Sequence, residues 1–134
     1  MGEPVGAVAV GNWKAKRNGR IAEMLATILY DTEISTNAVI DGHYQGRPLE
    51  VKACQQWVTD ANNSKSRRRG RFWIAQKQHK ELLEGDGFYA FFVLDEHGDY
   101  LVSKLVSARD VSEYAGHKSS FQVTWTRVFP ELVV

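Results

Sequence analysis

Asp41, Glu50 and Lys52 are the residues of this chain whose types and spacing best suit chemistry, and they sit in the stretch NAVIDGHYQGRPLEVKACQ. Read with period two, Asn37, Val39, Asp41 and His43 share one face of a strand, and Ala38, Ile40 and Gly42 share the other. Gln45-Gly46 is a two-residue turn signal, after which Glu50 and Lys52 lie on one face and Leu49, Val51 and Ala53 on the opposite, apolar one. A tight hairpin there puts Asp41 across from Glu50, and opposed Cβ atoms in such a pair are roughly 4.5–5.5 Å apart. Two carboxylates so close repel each other, and packing does not ask for them. A divalent cation reverses the sign of that cost, and Lys52 adds a fixed positive charge beside it. Alternating charged and apolar residues also describe the solvent face of any amphipathic strand, so the order of the surrounding elements decides.

Several elements must position this hairpin. Residues 1–12 read as a loose or strand-like arm, broken by Gly2, Pro4, Gly6 and Gly11. From about Trp13 to Tyr30 the pattern is helical, with Ile21, Met24, Leu25, Ile28 and Leu29 as an apolar stripe. Asp31 to Thr36 is polar turn material. After the hairpin, TDANNSKSRRRGR is basic and without periodicity, which predicts a loop. Arg71 to Ile74 reads as a short strand, and Ala75 to Glu84 as a helix ending at Gly85. Phe88 to Leu94 (FYAFFVL) is apolar on both faces, the mark of a central strand covered on two sides. Tyr100 to Val106 is a further strand, Ser107 caps a short helix that Gly116 ends, and Phe121 to Trp125 is a last strand. That order predicts an α/β fold: one mixed β-sheet flanked by helices.

A chain of 134 residues is one domain by length, with a core of its own. Its hydrophobic share of 43% and charged share of 25% are ordinary for a globular protein. A single cysteine, Cys54, excludes an internal disulfide and a multi-cysteine zinc site. Residues 1–11 lack the basic start and long apolar run of a signal peptide, and no run reaches the length of a membrane span. A cytoplasmic protein with no membrane partner is the expectation. The net charge of +1 argues against coating nucleic acid by charge alone. Its distribution is polarised, however: Lys14, Lys16, Arg17 and Arg20 cluster early, and Lys65, Arg67, Arg68, Arg69 and Arg71 cluster mid-chain. His43, His79, His97 and His117 are scattered without metal-ligand spacing. Trp13, Trp57, Trp73 and Trp125 are expected to serve packing before base stacking.

With these elements in order, the chain resembles the PD-(D/E)XK nuclease superfamily. The resemblance rests on Asp41 and on Glu50-Val51-Lys52, an Asp on one strand and a Glu-x-Lys on the next, within an αβββαβ core over about residues 13–94. Residues from about 95 to 134 are then a C-terminal β elaboration of a single nuclease domain. The residue before the Asp is Ile40 where the family pattern has Pro. Asn37 is a rival for the acidic position, set aside because it lies four residues beyond the site opposite Glu50. Small archaeal and viral Holliday-junction resolvases are nearest in size, and NGRIAEML looks like their first-helix motif, with Glu23 as the acid. On a helical wheel Glu23 falls away from the Ile21/Leu25/Ile28 stripe.

The resemblance implies a metal-dependent endodeoxyribonuclease that hydrolyses DNA phosphodiesters, with Mg²⁺ as cofactor, Mn²⁺ as substitute and no nucleotide cofactor. Asp41, Glu50 and the main-chain carbonyl of Val51 would hold the ion, Lys52 would act at the scissile phosphate, and Glu23 would complete the outer shell. Lys14, Lys16, Arg17, Arg20, Lys65, Arg67, Arg68, Arg69 and Arg71 would grip DNA, with Gln78 as a further phosphate contact. A junction resolvase active in recombination is expected to be a homodimer, with Phe121 to Trp125 as interface. A small restriction or homing-type endonuclease is the competing enzyme, and a non-catalytic DNA-binding subunit that kept the fold is the competitor from another class.

Overall fold

The computed structural model describes the backbone of residues 6–35, 39–60 and 63–132, and the side chains of residues 13–35, 39–59 and 66–132. Helix α1 (Gly6–Tyr30) leads into three antiparallel strands, β1 (Glu33–Ile34), β2 (Gly42–Tyr44) and β3 (Arg47–Gln55). Residues 6–12, expected as part of an arm, are helical. The expected polar turn after α1 contains β1, so the three-strand meander is β1-β2-β3 and lies one strand earlier than the sequence suggests. Gln45 and Gly46 both have positive φ, 51° and 78°, and Tyr44 pairs with Arg47. Two left-handed residues in a two-residue loop make the hairpin turn whose twist matches the flanking strands. Gly42 permits the close approach of β1, because a Cβ there would lie 1.9 Å from the Glu33 carbonyl oxygen. Asn37 lies outside the described residues.

Strand β3 pairs in parallel with β7 (Phe88–Leu94), and β7 pairs antiparallel with β8 (Tyr100–Ser107), giving the sheet order β1-β2-β3-β7-β8. Between β3 and β7 the chain makes β4 (Trp57–Asp60), β5 (Asn63–Arg69), β6 (Arg71–Ile74) and helix α2 (Gln76–Glu84). The unbroken apolar run of β7 is explained by its two neighbours: Tyr89, Phe91 and Val93 face one cluster, while Ala90 and Phe92 face another under α1. This mixed α/β arrangement is the predicted class.

Helix α1 buries a different side from the one expected. Among its described side chains Asn18, Ala22 and Ala26 are buried, whereas Met24, Ile28 and Leu29 are 64%, 69% and 46% exposed. Opposite them the sheet presents Leu49, Val51 and Phe92. Large side chains on the sheet demand small ones on the helix if the layers are to close without voids. The turn of the helix moves Met24, Ile28 and Leu29 outward, while Leu25 keeps partial contact with the sheet.

The basic stretch forms a ribbon where a loop was expected. Trp57 pairs with Arg69, Val58 with Arg68 and Thr59 with Arg67. Guanidinium groups of Arg67 and Arg69 lie 4.4 and 5.4 Å from the Trp57 ring centroid, so cation–π stacking holds a face that apolar alternation does not. Gly70 then passes β3 so closely that a Cβ would sit 1.9 Å from the Gln55 carbonyl oxygen.

Strands β6 and β9 (Phe121–Thr124) form a second separate ribbon. Phe72, Ile74, Phe121 and Val123 enter the core, with Trp125 at the start of α4 (Trp125–Val128) also buried. Phe121 to Trp125 therefore packs inside the molecule, and its apolar side chains are not an open dimer surface. Ser107 caps α3 (Ala108–Val111) by accepting from the Asp110 amide at 3.2 Å, and a 3-10 turn (Ser112–Tyr114) follows. No described helix is long and apolar enough to cross a membrane.

The rotated packing of α1 has a measurable consequence. Ala22→Leu should destabilise by about 1–3 kcal/mol through overpacking, whereas Ile28→Ser should stay within about 0.5 kcal/mol. Urea unfolding of dilute protein compares them, and a larger loss for Ile28→Ser would contradict the observed face.

Candidate active site

The register Gly42↔Leu49 carries on to Asp41 and Glu50, and the two side chains there replace the next rungs of the ladder. The Asp41 amide donates to Glu50 Oε1 at 3.1 Å, and the Val51 amide donates to Asp41 Oδ2 at 2.8 Å. Each carboxylate is thus tied to the backbone of the opposite strand, at the point where β2 ends and β3 runs on without it. Lys52 Nζ lies 3.2 Å from Glu50 Oε2 and donates to Gln78 Oε1 at 3.0 Å. Gln78 Nε2 in turn donates to the Val39 carbonyl at 3.4 Å. Gln78, expected as a phosphate contact, therefore positions Lys52 and closes the site from α2.

Glu50 is buried, with 3% of its surface exposed. Burial pushes its carboxyl up to about 7, helped by the Asp41 charge and opposed by Lys52. Burial also raises Glu23, with the Asp41 charge second, which places Glu23 within electrostatic reach of Asp41. The rotation of α1 makes this possible: with Ala22 and Ala26 facing the sheet, Glu23 stands at the flank of the buried side and not on the far side of the helix.

Tyr89 and His79 escaped the sequence reading. Tyr89 is the parallel-register partner of Glu50, and its hydroxyl is 2.8 Å from His79 Nδ1. His79 Nε2 lies 2.8 Å from Ser112 Oγ, whose own hydrogen goes to the Ala108 carbonyl at 3.3 Å. That arrangement makes Nε2–H the donor and leaves Nδ1 to accept from Tyr89. Burial lowers the His79 pKa, so the ring is neutral, and burial together with the Glu50 charge raises Tyr89. The parallel β3–β7 pairing brings Tyr89 behind Glu50, and α2 adds His79 to it, neither of which spacing along one chain reveals.

The family model of the PD-(D/E)XK nuclease superfamily domain matches residues 11–130. The chain belongs to the PD-(D/E)XK nuclease superfamily. No curated protein sequence matches it.

Members of the superfamily generally use divalent metals, and the donor set of this PD-(D/E)XK nuclease fits one. Asp41 Oδ1 has no hydrogen-bond partner among the described residues, and the adjoining Glu50 pays for burial in a raised pKa. Hard oxygen donors of this kind suit a cation that retains waters. Among the described residues no group of three or more His, Cys, Asp or Glu gathers as a protein-only cage.

The positive side chains of this nuclease are divided. Lys14, Lys16 and Arg20 are exposed on α1, as are Arg67 and Arg68 on β5 and Arg71 on β6. Arg17 is committed elsewhere: it donates to Asn18 Oδ1 and the Glu96 carbonyl and stacks 5.3 Å from the Trp13 ring centroid. The Lys65 side chain lies outside the described ones. A cleft of about 500 Å³ brings Lys14, Arg68 and Arg71 together beside Cys54 and Gln55 of β3. Cys54 is buried and its thiol is pushed up to about 12, which leaves it without nucleophilic character. Trp13 and Trp73 are exposed by 59% and 52% and so stand outside the core, while Trp125 is buried.

The raised Glu50 pKa fixes the sign of a stability test. The folded value of about 7 exceeds the ordinary 4.5, so the native state holds its proton more tightly than the unfolded chain. Stability then falls as pH rises through that window. Without metal, Glu50→Gln should melt above the wild type at pH above 7, and the gap should narrow as pH drops toward 4.5. Thermal melts in chelator across this range check it, and a gap independent of pH would refute it.

Proposed function

We propose that this nuclease is a Mg²⁺-dependent DNA endonuclease, Mn²⁺ substituting, that acts on structured DNA in the manner of a Holliday-junction resolvase. The observation that carries this function is the interlocked Asp41–Glu50 pair with Lys52 at one sheet edge. Asp41, Glu50 and the Val51 carbonyl would hold the ion, and Glu23, within electrostatic reach of Asp41, would add a further negative charge beside it. A bound divalent ion supplies a more acidic water and neutralises charge on the phosphate oxygens. Lys52, pinned between Glu50 and Gln78, offers its ammonium to the charge that builds on the scissile phosphate. Gln78 and the Tyr89–His79–Ser112 chain keep α2 and the floor of the site in place.

Lys14, Arg68 and Arg71, gathered in the cleft at the end of β3, together with the exposed Lys16, Arg20 and Arg67, meet phosphates without reading sequence. A homodimer suits symmetric cutting of two strands. With the apolar Phe121, Val123 and Trp125 buried, the exposed apolar side chains of α1, among them Met24 and Ile28, offer the surface for it.

A cleavage panel over single-stranded, duplex, flap and four-way-junction DNA, with metal or chelator, tests the activity. Cutting should require the ion and favour the junction. Glu50→Ala should abolish cleavage while DNA binding persists, and Lys52→Ala should slow it about 10²–10³-fold. Cleavage unchanged by Glu50→Ala would end the catalytic assignment, and a preference for one duplex sequence would favour a restriction-type enzyme.

Binding tests the basic surface separately. Replacing Arg67, Arg68 and Arg69 together with Ala should weaken all DNA sequences alike, and each lost phosphate contact should reduce the log–log salt slope by about 0.9. An unchanged slope would leave the ribbon as a solvated surface.

A further inference from the structure

The outward face of the β6–β9 ribbon carries Arg71, Trp73, Gln122 and Thr124, paired as Arg71↔Thr124 and Trp73↔Gln122. Here the strands do the reverse of their inner face, where Phe72, Ile74, Phe121 and Val123 are buried. Trp73 leaves half of its surface in water, which an indole does at a cost unless something covers it. It does not stand on a flat surface. Trp73 lines a cleft of about 640 Å³ together with Tyr114, Arg71, Lys118 and Arg127. That volume lies within the range of about 300–1,000 Å³ of sites that hold small planar ligands.

The chemistry of the lining is specific. Three cations face one carboxylate, Glu113, across the cleft. Arg71, Lys118 and Arg127 form no salt bridge among the described residues. Arg71 is held along the ribbon by its bond to Gln122 Oε1 at 3.3 Å, and Arg127 rests 5.0 Å from the Tyr114 ring centroid. Both aromatic side chains are thus presented with guanidinium groups beside them. A flat apolar surface edged with positive charge suits a base carrying its phosphate, and it is indifferent to which base arrives.

The position in the fold supplies the second observation. Arg71 and Gln122 line both this cleft and the one that holds Lys14, Arg68, Cys54 and Gln55. Cys54 and Gln55 continue the strand that carries Glu50 and Lys52. The two clefts thus adjoin at Arg71 and Gln122, and the second of them lies at the end of the strand that carries Glu50 and Lys52.

We propose that the Trp73–Tyr114 cleft is a binding subsite for an unpaired DNA nucleotide, in which Trp73 stacks on the base and Arg71, Lys118 and Arg127 meet the flanking phosphates. It rests on the nuclease reading above and adds to it the part of the substrate that departs from the duplex.

The test compares a blunt duplex with the same duplex bearing a short single-stranded tail, by fluorescence anisotropy in chelator so that no cutting intervenes. In the wild type the tail should tighten binding about tenfold or more. Trp73→Ala, at an exposed site that leaves the core intact, should remove that gain and leave blunt-duplex affinity unchanged. Joint Lys118→Glu and Arg127→Glu should do the same from the other wall. A tail gain that survives Trp73→Ala overturns the subsite, as does a wild type that binds tailed and blunt DNA equally. Metal-dependent cleavage of a four-way junction without tails, measured in parallel, reports on the nuclease reading alone. Absence of any DNA binding overturns both.

Discussion

The crossed hydrogen bonds between Asp41 and the β3 backbone, and between Glu50 and the β2 side, are the constraint on which the rest of the site depends. A ladder that simply continued would pair main chain with main chain and leave both carboxylates free to turn toward water. Instead each carboxylate takes the place of a backbone acceptor, so its position is as rigid as the strand it faces. Two negative groups held this way do not relax apart. The hairpin turn at Gln45-Gly46 makes the arrangement possible, because its left-handed residues fix the register without slack.

Burial converts that geometry into a chemical bias. Glu50 is taken from water next to another carboxylate, and a single lysine offsets only part of the cost. A buried carboxyl in this state gains from a proton or from a cation, and the protein without either is the least favourable form. The neighbouring groups hold this imbalance in place. Gln78 restrains the ammonium of Lys52, and neutral His79 ties α2 to Tyr89 and to Ser112 without introducing a competing charge.

The layers around the site follow from the sizes of side chains. Bulky residues of β3 and β7 face α1, which answers with Ala22 and Ala26, and this contact turns the polar flank of the helix, with Glu23, toward the carboxylates. On the opposite face the aromatic core of Phe72, Phe91 and Tyr89 packs beneath the β6–β9 ribbon. The two small ribbons stay outside the main sheet. Trp125 Nε1 donates to the Gln56 carbonyl at 3.0 Å and its amide to the Gly70 carbonyl at 3.1 Å, which locks the start of both ribbons to the end of β3. The positive side chains consequently gather at the end of the strand that carries Glu50 and Lys52.

Local rules determined a good deal from the residues alone. Gln45-Gly46 specified a hairpin, and its register followed from counting outward to Asp41 and Glu50. The FYAFFVL run specified a strand covered on both sides, and Ser107 specified a helix start, because each signal lies within a few residues of its effect. Tertiary structure alone decided which side of α1 is buried. The hydrophobic stripe and the alanine stripe are both helical, and only the bulk of the facing sheet selects the smaller one. Likewise the basic stretch carries no strand periodicity, and stacking of Arg67 and Arg69 on Trp57 makes it a ribbon. Tyr89 reached the site through parallel pairing of strands separated by more than thirty positions, and His79 through its hydrogen bond from α2 to Tyr89, contacts that one chain's periodicity does not encode. Short-range order is written in neighbouring residues, whereas the choice between equally helical faces and the pairing of distant strands depends on volumes and charges that meet only when the layers close.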